Sequence, residues 1–507
     1  MMNQYAKLIG AGTLAMAMNA QAEVSLPKVI SSHMVLQRDA KVPIWGWADQ
    51  GEKVTVEFAG QRKSTLPDAS GKWMIELSPM AASSEGQKML IHGSNAIELD
   101  DVLVGEVWLA SGQSNMEWSF NGIEASQREL ALKELGNTQI RFFHVEHHLQ
   151  AGFPLDDTLG RWKLSEDFLK NEQTVSALAF FFARKLQDEL QVPIAILDAN
   201  WGGMKVDHFI SEDGYKSQDL PLRKHHHIED SKKRLERLKQ LRDSLNHSIA
   251  QEEKGITTPY IEDRVYSWAD NIIYNAMIAP LTPYAIKGSI WYQGESNRGD
   301  TQYFKKLQAL SYGWSKAFRV PNIPLYQVQI APYDYSNGQQ PKNSTLSDTI
   351  WAAQYKAAEE IEGVELVAIH DTDIHIKDIH PKSKQPVGER LASMALAKSY
   401  AKDVVCAGPS FAYARLVGDK VQVEFSQVDR GLQTKDGKEP SFFEVSADGT
   451  DFVPASAILQ GNTVLLSAEA CPKPRFVRMG WSDIAIPNLQ DKNSWPVFSF
   501  PAQAIQH

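Results

Sequence analysis

Residues 106–120 read EVWLASGQSNMEWSF. An apolar strand, Val107 to Ser111, runs directly into Gly112, Gln113, Ser114 and Asn115. Small residues there let the backbone turn sharply as the strand ends. The turn would present the Ser114 hydroxyl beyond the strand's carboxyl end, where open parallel α/β sheets bind their ligands. The large apolar residues that follow, Met116, Trp118 and Phe120, then anchor the next segment in the core.

The surrounding sequence supports such a sheet. From 105 to 403, strand and helix patterns alternate. TVSALAFFFARKLQDEL (174–190) has a helical apolar stripe at Val175, Leu178, Phe182, Leu186 and Leu190, and strand-like VPIAILDA follows at once. TQYFKKLQALSYGWSKAF (301–318) precedes NIPLYQVQIA in the same way, and QPVGERLASMALAKSY (385–400) is a further helix signal. This alternation predicts an α/β fold with a mostly parallel sheet covered on both faces. Residues 23–104 have period-two patterns such as KVTVEFAG, and residues 404–507 return to that texture in DKVQVEFSQ and NTVLLSAEA. A β-sandwich or β-sheet domain is therefore expected on each side of the α/β segment. An insertion near 222–256 contains a charged helix, 228–254, which packs on its own domain or serves as a lid or dimer contact. The oligomeric state stays open.

The 507-residue chain carries 52 basic and 62 acidic side chains, a net charge of −10. It has no basic footprint, which argues against nucleic acid as a partner. Residues 1–22 combine Lys7, a short apolar run and Ala20-Gln21-Ala22, a signal-peptide pattern, although a short buried helix fits the same run. Export to the periplasm or the exterior is the expectation, with no membrane span. In that compartment Cys406 and Cys471 would either pair or remain buried thiols. His225-His226-His227 lacks a companion ligand set and reads as an exposed loop, so no metal is expected.

Four candidate strands deliver chemistry to one rim. They end in Ser114-Asn115, Trp201-Gly202-Gly203, Gln293-Gly294-Glu295 and Asp371-Thr372-Asp373, the last continuing to Asp378 and His380. A serine is a weak nucleophile until a base takes its proton. His380 fits the base and Asp378 the acid that orients it. The Ser114 and Gly203 N–H groups and the Gln293 amide fit an oxyanion site. Each has a bland reading too: a helix cap, a tight turn, a buried amide–carboxylate pair, a surface Asp/His pair.

Taken together, GEVWLASGQSNMEW, NWGG, IWYQGESN and DIHPKSKQPVGERLA resemble the sialate O-acetylesterase family, a branch of the SGNH hydrolases. HMVLQRDAKVPIWGWADQGEKVTVEFAG resembles that family's N-terminal β-domain. The resemblance implies a flavodoxin-like sheet, no cofactor and no metal. It implies Ser114 as nucleophile, His380 as base, Asp378 as orienting acid, and Gly203 and Gln293 in the oxyanion hole. The usual SGNH pattern has Gly-x-Asn-Asp where this chain has Gln-Gly-Glu, and Asp-x-x-His where it has Asp-x-His. Asp371 and Asp373 are rival orienting acids.

The expected partner is an O-acetylated sugar: a sialate, which needs a cation such as Arg298 for its carboxylate, or a neutral acetylated xylan or other glycan. Asn115, Trp201, Glu295 and Arg298 are candidate substrate contacts. Trp118, Trp201 and Trp291 are candidate sugar platforms, although buried packing is the commoner use of tryptophan. Two other classes compete: a glycan-binding protein with a dead site, and a glycosidase using Glu295 and Asp373.

Overall fold

A computed structural model describes residues 23–147, 152–170, 175–223, 269–336 and 346–506. The expected leader at 1–22, the charged helix at 228–254 and His225-His226-His227 lie outside the described residues. The N-terminal strands are β1 (Val35–Gln37), β2 (Val42–Trp47), β3 (Val54–Phe58), β4 (Gln61–Thr65), β5 (Lys72–Leu77) and β6 (Ser83–His92). Trp73, Ile75 and Leu77 are buried while their neighbours on β5 face water, the alternation of a sheet with one wet face. β2 pairs with β5, and β3 pairs with β4 and β6.

Next comes β7 (Ala96–Gly112), a strand of 17 residues. Its first half pairs antiparallel with β6, and its second half pairs in parallel with two strands of the central sheet. Burial changes with the partners. It is intermittent up to Asp101 and unbroken from Val102 to Gly112. A strand covered on both faces needs such a continuous apolar run. The boundary expected at 104/105 therefore falls inside one strand, and a single apolar core runs through both segments.

The central sheet adds β8 (Ile140–Val145), β9 (Gly160–Lys163), β10 (Ile194–Asn200), β11 (Gly288–Tyr292), β12 (Leu325–Val328) and β13 (Val364–Val367). Their spatial order is β13-β12-β11-β7-β10-β8-β9. All pairs are parallel except β8 with β9. Without the β8/β9 edge hairpin the order is 2-1-3-4-5, counted along the chain. Helices cover the sheet. Ala177–Leu190 starts at Ser176, whose hydroxyl accepts the Ala179 N–H at 3.0 Å, and ends at Gln191 in the left-handed conformation. It packs against the helix Gln385–Tyr400 at Gly388, where a Cβ would strike the Leu178 carbonyl.

The C-terminal segment forms an eight-stranded sheet and keeps a separate core around Val423, Val445, Leu466 and Val477. It meets the central unit through Trp481, whose ring lies 6.0 Å from Trp351, and through Asp483, which accepts the Leu346 N–H at 2.9 Å. Cys406 and Cys471 are free thiols, the second of the two alternatives: Cys406 packs, partly buried, at the edge of the central core, and Cys471 lies in the C-terminal core.

Candidate active site

The turn after β7 is fixed by its backbone. Gly112 has φ +145°, and a Cβ there would collide with the Tyr292 carbonyl at the end of β11. Gln113 then donates its N–H to that carbonyl at 3.0 Å. The Gln113 carbonyl accepts the N–H groups of Met116 and Glu117, closing the one-turn helix Ser114–Glu117. Ser114 is its first residue, and its own N–H has no acceptor among the described residues. Met116 and Phe120 are buried anchors as expected. Trp118 does something else: it stacks on the His380 ring, with centroids 4.6 Å apart.

His380 Nε2 lies 2.8 Å from Ser114 Oγ. Burial pushes the imidazole below the ordinary histidine value, the Lys384 charge pushes the same way, and Asp378 opposes them. A neutral imidazole at that distance can accept the serine proton. Asp378 Oδ1 accepts the backbone N–H of His380 at 3.0 Å, and no bond joins this carboxylate to the ring among the described residues. Of the rival acids, Asp371 forms a two-pronged pair with Arg390 at 2.7 and 2.6 Å, so it is not available to His380. Asp373 is exposed.

Gly202 packs against Ser114: a Cβ on it would lie 2.8 Å from Glu117 Oε2 and 3.5 Å from Ser114 Cβ. Its N–H goes to the Glu117 carboxylate, which burial holds above its ordinary value. Gly203, at φ +74°, has no acceptor for its N–H among the described residues, while its carbonyl accepts the Ser296 hydroxyl at 3.0 Å. Two backbone N–H groups, on Ser114 itself and on Gly203 next to Gly202, thus have no acceptor among the described residues. Gln293 does not join them. It is fully buried, and its amide nitrogen is committed to Asn297 Oδ1 at 2.8 Å, Gln113 Oε1 at 3.1 Å and the Met204 carbonyl at 3.3 Å. An amide has only two N–H donors, so the oxyanion role expected for Gln293 is corrected to scaffolding of the turn after β11.

Asn115 and Glu295, expected as substrate contacts, are also interior. Asn115 Nδ2 donates to Glu295 Oε1 at 2.7 Å and to the Ile379 carbonyl at 3.0 Å. Asn115 Oδ1 accepts from Lys384 Nζ at 2.7 Å. Lys384 is only 1% exposed, and burial lowers its ammonium to about 7 although Glu295 and Asp378 support the charge. Burial raises the Glu295 carboxyl. Sequence reasoning passed over Lys384. The one available signal was a lysine placed just before a buried apolar helix, four residues after His380.

Trp201 is half-buried and stacks on His147 at 4.5 Å, whereas Trp291 is wholly buried against Phe209 and Trp314 and offers no sugar platform. Arg298 is exposed, with its guanidinium 4.4 Å from the Tyr335 ring centroid. It lines a cavity of about 500 Å³ together with Lys205, Ser296, Arg223 and Lys306. Arg223 pairs with Asp270 and Lys306 with Asp207 and Asp300, but Lys205 and Arg298 have no carboxylate partner among the described residues. No group of three or more His, Cys, Asp or Glu is placed to hold a metal, and no helix is long and apolar enough to cross a membrane, among the described residues.

Comparisons with known proteins point the same way. Residues 260–397 match the family described as carbohydrate esterase, sialic acid-specific acetylesterase; that span contains Asp378, His380 and Lys384, and Ser114 lies before it. The chain is 29% identical to a sialate O-acetylesterase of Mus musculus over 61% of this chain and 60% of that one. It is 28% identical to the Homo sapiens sialate O-acetylesterase over 57% of this chain and 52% of that one. It thus matches little more than half the length of these relatives. A carbohydrate acetylesterase from Xanthomonas citri, known from its crystal structure, is 28% identical, covers 94% of this chain and 99% of its own, and superposes with a TM-score of 0.78. The family resemblance carried by the motifs is found again in the family model and the curated relatives, and the solved structure is a carbohydrate acetylesterase.

Proposed function

We propose that this chain is a serine esterase that removes O-acetyl groups from sialic acid, on a flavodoxin-like sheet of the SGNH hydrolase type. The 2-1-3-4-5 order of β10-β7-β11-β12-β13 supports the fold reading. The observation that carries the activity is the 2.8 Å contact between Ser114 Oγ and His380 Nε2. Ser114 Oγ attacks the acetyl carbonyl carbon as His380 Nε2 takes its proton. The N–H groups of Ser114 and Gly203 receive the oxyanion. The tetrahedral intermediate collapses, and His380 returns the proton to the departing sugar oxygen. Water, activated by His380, then cleaves the acetyl-Ser114 ester, releasing acetate. Asp378 offsets the positive charge that forms on His380 and holds its backbone.

A sialate brings a carboxylate. The cavity beside Ser296 carries two cations without carboxylate partners, Lys205 and Arg298. Those cations, rather than Asn115 or Glu295, are the contacts assigned to the acid sugar. Export, read from residues 1–22, belongs to the same proposal. Acetate release from 9-O-acetyl-sialic acid tests it: Ser114→Ala, still folded, should be inactive, and retained activity would end the reading. Arg298→Ala should lose activity on the sialate and keep it on an acetylated xylo-oligosaccharide. Equal effects on both would reassign the substrate to a neutral acetylated glycan.

A further inference from the structure

Ser114 and His380 stand 266 residues apart, on different kinds of backbone. Their immediate neighbours, Asn115 and Ile379, are hydrogen-bonded to each other: Asn115 Nδ2 donates to the Ile379 carbonyl at 3.0 Å. The same amide group binds Glu295 Oε1 through Nδ2 and Lys384 Nζ through Oδ1. Asn115, Glu295 and Lys384 are 1%, 7% and 1% exposed. The Lys384 ammonium also lies 5.6 Å from the Trp118 ring and 5.5 Å from the Tyr292 ring. Trp118 in turn stacks on His380. One lysine therefore touches the serine turn, the end of β11 and the ring that backs the histidine. A buried ammonium desolvated this far is retained only where its partners are fixed.

We infer that Lys384, acting through Asn115, is a positioning residue that locks the serine-bearing turn to the histidine-bearing loop and places a positive charge beside His380. The inference rests on the esterase reading above. The charged and titratable groups around Lys384 are Glu295 after β11, Tyr292 at its end, and Asp378 and His380 on the loop. Those acting on His380 are Lys384 and Asp378, with Ser114 at its ring nitrogen. Glu117, on the other flank of Ser114, faces His147 at 3.6 Å. A positive charge beside an imidazole disfavours its protonation, so Lys384 keeps His380 able to accept a proton at lower pH. Where Lys384 itself loses a proton, its remaining N–H groups still reach Asn115. The clamp then survives while the charge goes.

The pH profile of kcat/KM for 4-nitrophenyl acetate tests this independently of the sugar. Lys384→Met removes both bond and charge: kcat/KM should fall about tenfold or more, and the acid limb should move up by roughly one pH unit. Lys384→Gln keeps a donor for Asn115 without the charge. It should show the same upward shift with a smaller loss of rate, and it serves where the Met variant does not fold. The unaltered enzyme should show its acid limb below the ordinary histidine value of 6.5. Folded Lys384 variants whose limb stays in place, or an unaltered enzyme with its limb at 6.5 or above, would overturn the inference. An active Ser114→Ala protein would instead overturn the esterase reading itself.

Discussion

Ser114 is held by backbone and His380 by side chains. The serine ends a strand paired on both sides, and its turn is dictated by Gly112 and the Tyr292 carbonyl. The histidine sits in residues 368–384, which contain no helix or strand. That loop is pinned by Arg390 on Asp371 and on the Ala368 carbonyl, by Asn115 on the Ile379 carbonyl, and by Trp118 on the ring. A sheet-borne group keeps its place through many cooperative bonds, whereas a loop-borne group depends on a few contacts that single substitutions remove.

The largest expected effect tests the backbone side of this contrast. Gly112→Ala places a methyl group against the Tyr292 carbonyl at a left-handed φ. It should cost roughly 4 kcal/mol in urea unfolding, and a melt like that of the unaltered protein would show the serine turn to be less constrained. Arg390→Leu tests the side-chain side. It removes one partner of a nearly buried pair, at a cost of about 3 kcal/mol. Esterase activity should fall in the folded fraction as well, because the histidine loop loses its anchor.

His370 gives a pH-dependent version of the same test. It is 2% exposed, neither ring nitrogen has a hydrogen-bond partner among the described residues, and burial pushes it down to about 4. The folded state therefore keeps it neutral while the unfolded chain, with an ordinary histidine value, takes up a proton. Stability should fall as pH drops from 6.5 towards 4, reaching about 2 kcal/mol of loss by roughly pH 5. His370→Leu should flatten that decline in denaturation series across the range, and an unchanged slope would assign the acid sensitivity elsewhere. The smallest expected effect is that of Asp378→Asn: a fall in kcat/KM of about tenfold. Its acid limb should move down, because Asp378 raises His380 where Lys384 lowers it. An upward shift would contradict the charge assignment around the ring.

The same contrast explains what could be read from the sequence. The serine side was legible because a strand ending in small residues writes its geometry locally, in VWLASGQSN. The glycine turn after β10 and His380 do approach Ser114, whereas Asp378, expected to orient the ring, meets only the His380 backbone N–H among the described residues. The supports of the histidine side are contacts between distant segments: Lys384 with Asn115, Arg390 with Asp371. Nothing in local spacing announces them. The Gln293 segment reaches the rim, which suggests an oxyanion donor, but burial and three acceptors occupy its amide. The boundary at 104/105 followed a change of texture. The apolar run from Val102 to Gly112 shows instead that the texture changes within one strand, as its partners change.

Strand β7 also limits how such a chain can be recombined. It begins in the N-terminal layer and ends two residues before Ser114, so residues 23–104 are not an exchangeable cassette. A crossover at 104/105 would splice two halves of one strand from different parents, and any mismatch in twist would be carried directly to the hydroxyl. The C-terminal sheet has a core of its own, and exchanging it means re-making side-chain contacts around Trp481, Asp483 and Phe498 and those of Lys435, Ser494 and Trp495 with Asp371 and Arg390. Shuffling of this architecture would therefore move the C-terminal sheet more readily than the N-terminal layer, which is inherited together with the nucleophile.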